Sequence, residues 1–167
     1  MSGIRIPRLL FFAIVFAAVA QCVHDFVLLP ERLASHFGAS GTPNGWMTKP
    51  QFFMTYALMF LVALFVEFSV GPKIATKPAD KLRLPNKEYW LAPERRAETF
   101  AYFEGFFAWY GCALLLVEVL AMGLAMRANF DSPPVLATGP IVSVVAGFIV
   151  FNIAAVIALY WRFSHSP

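Results

Sequence analysis

Charge is the first thing this chain has little of. Only 14% of its 167 residues are Asp, Glu, Lys or Arg, whereas 59% are hydrophobic. A soluble domain carries about 25% charged residues, so a water-facing globular protein is excluded, and lipid covers most of the surface. Cysteine is scarce too. Cys22 and Cys112 both lie in apolar runs, form no CxxC pair and read as two buried thiols, not as a disulfide framework. No GxxxxGK[ST] phosphate loop is present, and no Ser-His-Asp or Cys-His arrangement stands out. The chain is therefore expected to be no enzyme, with no cofactor assigned. The glycines at 105, 111, 123 and 147 form no clean GxxxG, so they predict no helix dimer.

Four long apolar runs remain. They predict spans over about 9–29, 52–70, 102–126 and 140–161, each near the ~20 residues needed to cross a bilayer. Helices are the economical spanning form, because lipid offers backbone groups no partners. The expected fold is an all-α membrane protein: one domain over 1–167, a four-transmembrane-helix bundle in up-down-up-down order. The first run is longer than a signal-peptide core and is expected to stay uncleaved. Gly71-Pro72 is expected to close the second span, and Pro140 suits the first turn of the fourth.

Orientation follows from the basic residues. With the N-terminus inside, the inner segments hold Arg5, Arg8, Lys73, Lys77, Lys81, Arg83, Lys87, Arg95, Arg96 and Arg162, against Arg32, Lys49 and Arg127 outside. The expected topology is N-in/C-in, in a bacterial cytoplasmic (inner) membrane. The loop 30–51 and the short loop 127–139 then face outward, and 71–101 faces the cytoplasm. This imbalance also explains a pI near 9.0 without nucleic acid as a partner.

The outer loop is rich in turn residues, with Pro43-Asn44-Gly45 as its clearest turn signal. Its pattern is Leu29-Pro30-Glu31-Arg32, then Ser35-His36-Phe37-Gly38-Ala39-Ser40-Gly41, then Pro43-Asn44-Gly45-Trp46 and Lys49. It resembles a bacterial membrane domain of unknown function found in toxin-immunity proteins, the sporulation-delay immunity-like integral membrane proteins. The stretch Asn86 to Thr99 resembles the segment after the second span in that family. The resemblance implies a non-catalytic binding or regulatory role.

Charged groups inside spans are functional candidates by default. His24 and Glu118 each lie about fifteen residues from the inner boundary, roughly 22 Å up at 1.5 Å per residue. With Asp25, and with His36 folded down from the loop, they form a candidate site. It reads as a structural polar network, a proton or ligand site, or a metal site drawing on His24, His36 and Glu118. Trp46 is a further candidate contact on the loop. Glu67 and Glu104 are expected to pair with Lys73, Arg95 or Arg96. Asn152 is expected to hydrogen-bond a neighbouring helix. The segment from Pro93 reads as an interfacial cytoplasmic helix, with Trp90, Arg95 and Arg96 facing lipid headgroups or a soluble partner.

Three functions compete: a binding or regulatory protein of the immunity type, an accessory subunit of a larger membrane complex, and a small transporter or metal-dependent enzyme using the His/carboxylate set. The partners these imply are the bilayer, other membrane subunits or a cytoplasmic regulator. A reporter fused after Ser40 is expected to read as external; a cytoplasmic signal there would reverse the orientation.

Overall fold

The structure is a computed structural model that describes residues 4–78 and 81–165. Residues 79–80 of the second polar loop, and both extreme termini, lie outside the described residues. Helix α1 spans Arg5–Leu28, followed by strands β1 (Arg32–Phe37) and β2 (Pro43–Thr48). Helix α2 covers Lys49–Ala75, and a short α3 covers Lys87–Trp90. Helix α4 runs over Pro93–Ala128 and α5 over Thr138–Ser164. The four long helices are apolar and long enough to cross a membrane, and the chain is a multi-pass membrane protein.

Helix α4 is the mast. Its buried residues Ala108, Gly111, Cys112, Leu115, Glu118 and Met126 recur at helical spacing and form one face. Against it pack α1 and both halves of α2. Two apolar layers result. Leu29, Leu33, Phe52, Tyr56 and Met126 fill the end nearer the strands. Phe11, Ala63, Cys112 and Leu115 fill the layer toward the other end. The arrangement is not a symmetric four-helix bundle. Helix α5 makes its extensive helix contacts with α4 alone, and most of its circumference faces outward. Tyr110 donates to the side-chain oxygen of Asn152, a polar link between α4 and α5 at mid-span, and Arg162 pairs with Glu98 nearer the end.

Gly71-Pro72 does not end α2. The helix widens into a π-turn at Val66–Val70 and then resumes over Gly71–Ala75. Proline breaks an α-helix because its ring meets the carbonyl four residues back, and the wider turn just before Pro72 relieves that contact. The segment from Pro93 is likewise no separate helix: it is the first part of the 36-residue α4.

The loop after α1 is an antiparallel hairpin, paired from Arg32↔Thr48 to Phe37↔Pro43 with irregular register around His36. Period-two apolar alternation is weak in it, and Pro43-Asn44-Gly45, expected to form the turn, instead open β2; the chain turns at 38–42, where Gly41 takes a positive φ. Strand β2 runs directly into α2. Thr48 accepts from the Gln51 amide, and Gln51 accepts from the Thr48 amide, a reciprocal capping box. Ala34 of β1 is fully buried. Its N–H donates to Asn129 Oδ1 at 2.7 Å, and its carbonyl accepts from Asn129 Nδ2 at 3.0 Å. The Asn129 amide thus acts as one residue of a third strand, fixing the hairpin to the end of α4.

Asn129→Ala leaves a buried N–H and C=O of Ala34 unpaired. Each unmet buried group costs about 1–3 kcal/mol, so the substitution is expected to destabilise by about 2–4 kcal/mol, read as a lower unfolding midpoint in detergent.

Candidate functional site

The hairpin end is built by side chains that satisfy backbone groups. The last carbonyls of a helix lack internal partners. At the end of α1, Lys49 Nζ donates to the Phe26 carbonyl at 3.1 Å and pairs with Glu31 at 3.1 Å. Lys49 is buried, beside the Phe26 ring, so this cation is a structural cap. The hairpin tip is pinned as well. The Leu136 N–H donates to the Gly41 carbonyl at 2.9 Å. Gly41 has φ +81, and a Cβ there would lie 2.3 Å from the Leu136 carbonyl oxygen, so only glycine fits.

Among the four residues proposed to converge, the structure brings only His24 and Asp25 into contact. His24 Nδ1–H donates to Asp25 Oδ1 at 2.9 Å. Asp25 is buried while the His24 ring is largely exposed. Asp25 faces a cleft of about 610 Å³ between α1 and the end of α4, lined also by Gln21, Gly123, Arg127, Phe130 and Asp131. His36 does not fold down over this place. It bonds the Asn44 side chain across the exposed tip of the hairpin. The bulged register aims it there, opposite Gly45. Glu118 lies deeper, on the buried face of α4, where its Oε2 has no protein partner. Among the described residues no three His, Cys, Asp or Glu side chains come together in a way that could hold a metal ion. Trp46 is half-exposed on the hairpin, with the Arg32 guanidinium 5.9 Å from its ring.

The opposite end, rich in basic residues, is latched by Trp90. Expected at the lipid interface, it is instead 5% exposed. Its Nε1 donates to the Phe163 carbonyl at 3.0 Å, and Asn86 Nδ2 donates to the Phe163 and Ser164 carbonyls. Both side chains thereby cap the C-terminus of α5. Thr99 donates to the Trp90 carbonyl at 2.8 Å, and Arg162 stacks 4.2 Å from the indole. Trp90 is an internal anchor because an indole has one donor, and the end of α5 offers a free acceptor beside a fitted apolar face.

The expected partners of the span carboxyls also differ. Glu104 pairs with Arg8 of α1 at 3.3 Å, and Glu67 pairs with no protein group. Lys73 lies over Phe65, Arg95 over Tyr89 at 3.8 Å, and Arg96 over Phe100. Sequence reasoning missed Asn129, Gly41 and Asn86. An Asn just past a long apolar helix was the available sign for the first.

Residues 9–60 match the model of a family described as a domain of unknown function (DUF1648). The match takes in nearly all of α1, the hairpin and the first turns of α2, and so contains His24, Asp25, His36, Trp46 and Lys49. It stops short of the Trp90 latch. No curated protein and no solved structure matches the chain.

Gly41→Ala is expected to free the hairpin tip. Hydrogen exchange at the Leu136 amide should quicken markedly while the buried amide of Ala34 stays protected. Unchanged exchange at Leu136 would show that the tip tolerates a Cβ.

Proposed function

We propose that this membrane protein is a non-catalytic binding protein of the immunity type, in a bacterial cytoplasmic membrane, with the hairpin end as its recognition surface. The orientation that goes with this reading is N-in/C-in. It puts the hairpin outside and the Lys/Arg-rich end in the cytoplasm, as the basic-residue bias favours.

The observation that carries the reading is the fixing of the hairpin. Asn129, Lys49 and the Gly41–Leu136 bond hold it at three separate points. A loop that serves only to join two spans needs none of these. A pre-organised surface loses less entropy on binding than a mobile one. What the fixed hairpin displays is suited to contact: Trp46 with Arg32, residue types enriched where binding energy concentrates, and His36 with Asn44. At the same end of the molecule opens the cleft that carries Asp25, Arg127 and Asp131, with charges of both signs. A peptide arriving from outside is the ligand class that suits an aromatic-cationic strand face with a polar cleft at the same end. At the inner end, Arg95 and Arg96 are left to meet anionic headgroups or a cytoplasmic regulator, whereas Trp90 is occupied internally.

The accessory-subunit reading keeps one supporting observation, the outward-facing circumference of α5. One experiment separates the readings. The tagged protein is drawn from native membranes in mild detergent, with mass spectrometry and metal analysis of the same sample, beside a Trp46→Ala/Arg32→Ala variant. A peptide or protein that copurifies with the parent and is lost from the folded variant is the expected result. Membrane proteins at fixed stoichiometry that stay with the variant would replace the recognition reading with the subunit one. One metal ion per chain, lost on His24→Ala or His36→Ala, would replace both.

A further inference from the structure

Among the described residues, the buried side-chain polar atoms without a protein partner are Arg8 Nε, Tyr56 Oη, Glu67 Oε1 and Oε2, and Glu118 Oε2. All belong to the seam where α1 and α2 meet α4. Native proteins leave few such atoms unmet, and each asks for a reason. The strongest case is Glu67. It is 3% exposed, and both of its oxygens are unmet. It sits in the π-turn of α2, a rare geometry concentrated at functional positions. Gly111 of α4 leaves the room for it: a Cβ there would come within 2.7 Å of Glu67 Oε2.

We propose that Glu67 is an internal proton-binding site, and that Arg8 moves from Glu104 to Glu67 when that proton leaves. The titratable and charged groups packed around Glu67 are few. They are Arg8 on α1 and the Cys112 thiol on α4, with Glu104 of α4 as the present partner of Arg8. The thiol is engaged, donating to the Pro7 carbonyl. Arg8 holds Glu104 by one Nη at 3.3 Å, longer than the 2.7–2.9 Å of a firm charged pair. Its Nε is buried and idle. Nε and Nη2 together form a fork that can grip a carboxylate; here Nη2 is on Glu104 and Nε is idle, near a carboxyl with two unused oxygens. A proton needs a single oxygen. A metal ion needs several ligands and would meet the positive charge of Arg8.

The step balances simply. The Glu67 O–H bond breaks, the proton passes to water at the basic end, and the new carboxylate takes the guanidinium. The arrangement seen here, with Arg8 on Glu104, is the protonated state. This inference concerns the opposite end of the molecule from the recognition surface and stands without it.

The test is solid-state NMR of the full chain in liposomes, with 13C-labelled Glu and 15N-labelled Arg, titrated over the range in which the protein stays folded. The Glu67 carboxyl carbon is assigned by its loss in Glu67→Gln. It is expected to change between its acid and carboxylate positions, and the Arg8 side-chain nitrogens are expected to shift with the same midpoint. In Glu67→Gln the Arg8 signals should become independent of pH. A Glu67 carbon that keeps one state throughout would overturn the proposal, as would Arg8 signals that never move or that still titrate in the variant. Arg8 can be assigned independently by Arg8→Lys and the Glu67 carbon by its loss in Glu67→Asp, so the wild-type titration decides the coupling even if Glu67→Gln folds poorly.

Discussion

A backbone inside lipid must satisfy its own hydrogen bonds, and in this chain the constraint falls hardest on the places where helices end. Each spanning helix finishes with carbonyls that have no partner of their own. The chain meets them with side chains brought from elsewhere. Lys49 reaches the end of α1, and Trp90 and Asn86 reach the end of α5. These caps lie far from their targets in sequence, so capping and tertiary assembly are the same event. A soluble helix could leave the same carbonyls to water.

The mast helix makes this possible because both of its ends carry a latch. At one end Asn129 supplies a substitute strand to Ala34. At the other, Thr99 holds the carbonyl of Trp90, whose indole in turn holds α5. Between the latches, the apolar layers need only fit in shape, since lipid is as apolar as the side chains and gives the helices little hydrophobic drive to associate. Close packing and a few polar links decide the arrangement. That is why α5, with one mid-span link through Asn152 and Tyr110, stands at the edge, whereas α1 and α2 share the face of α4.

Much of the architecture was legible. The four spans follow from length and hydropathy alone, and the hydrogen bond of Asn152 to a neighbouring helix follows from the cost of a lone amide in lipid. The first-turn place of Pro93 was readable from local chemistry. The turn read at Pro43-Asn44-Gly45 was misplaced: those residues open β2, and the hairpin turns at 38–42, where Gly41 supplies the left-handed residue. What escaped had a common cause. Gly71-Pro72 read as a stop because the π-turn that accommodates it is a three-dimensional adjustment with no residue signature. Trp90 read as interfacial because an indole suits both headgroups and a helix end, and only the fold puts Phe163 within reach. His24, Asp25, His36 and Glu118 were grouped by depth, yet depth fixes one coordinate of three. The rotation of α4 sends Glu118 inward, and the bulged hairpin sends His36 outward.

The two ends of the molecule therefore treat their polar residues differently. At the hairpin end the buried Lys49 and Asn129 side chains are spent on holding backbone, and the groups left outward are Arg32, His36, Trp46 and the cleft charges. Rigidity there comes from satisfied partners. Along the seam toward the basic end, Glu67 and the Nε of Arg8 are buried and unsatisfied, next to a turn whose hydrogen-bond register has already been loosened. Unmet polar groups in a low-dielectric interior weaken an arrangement and leave it open to a rival one. A molecule fastened at one end and frustrated at the other is built to keep its surface fixed while its interior changes partners.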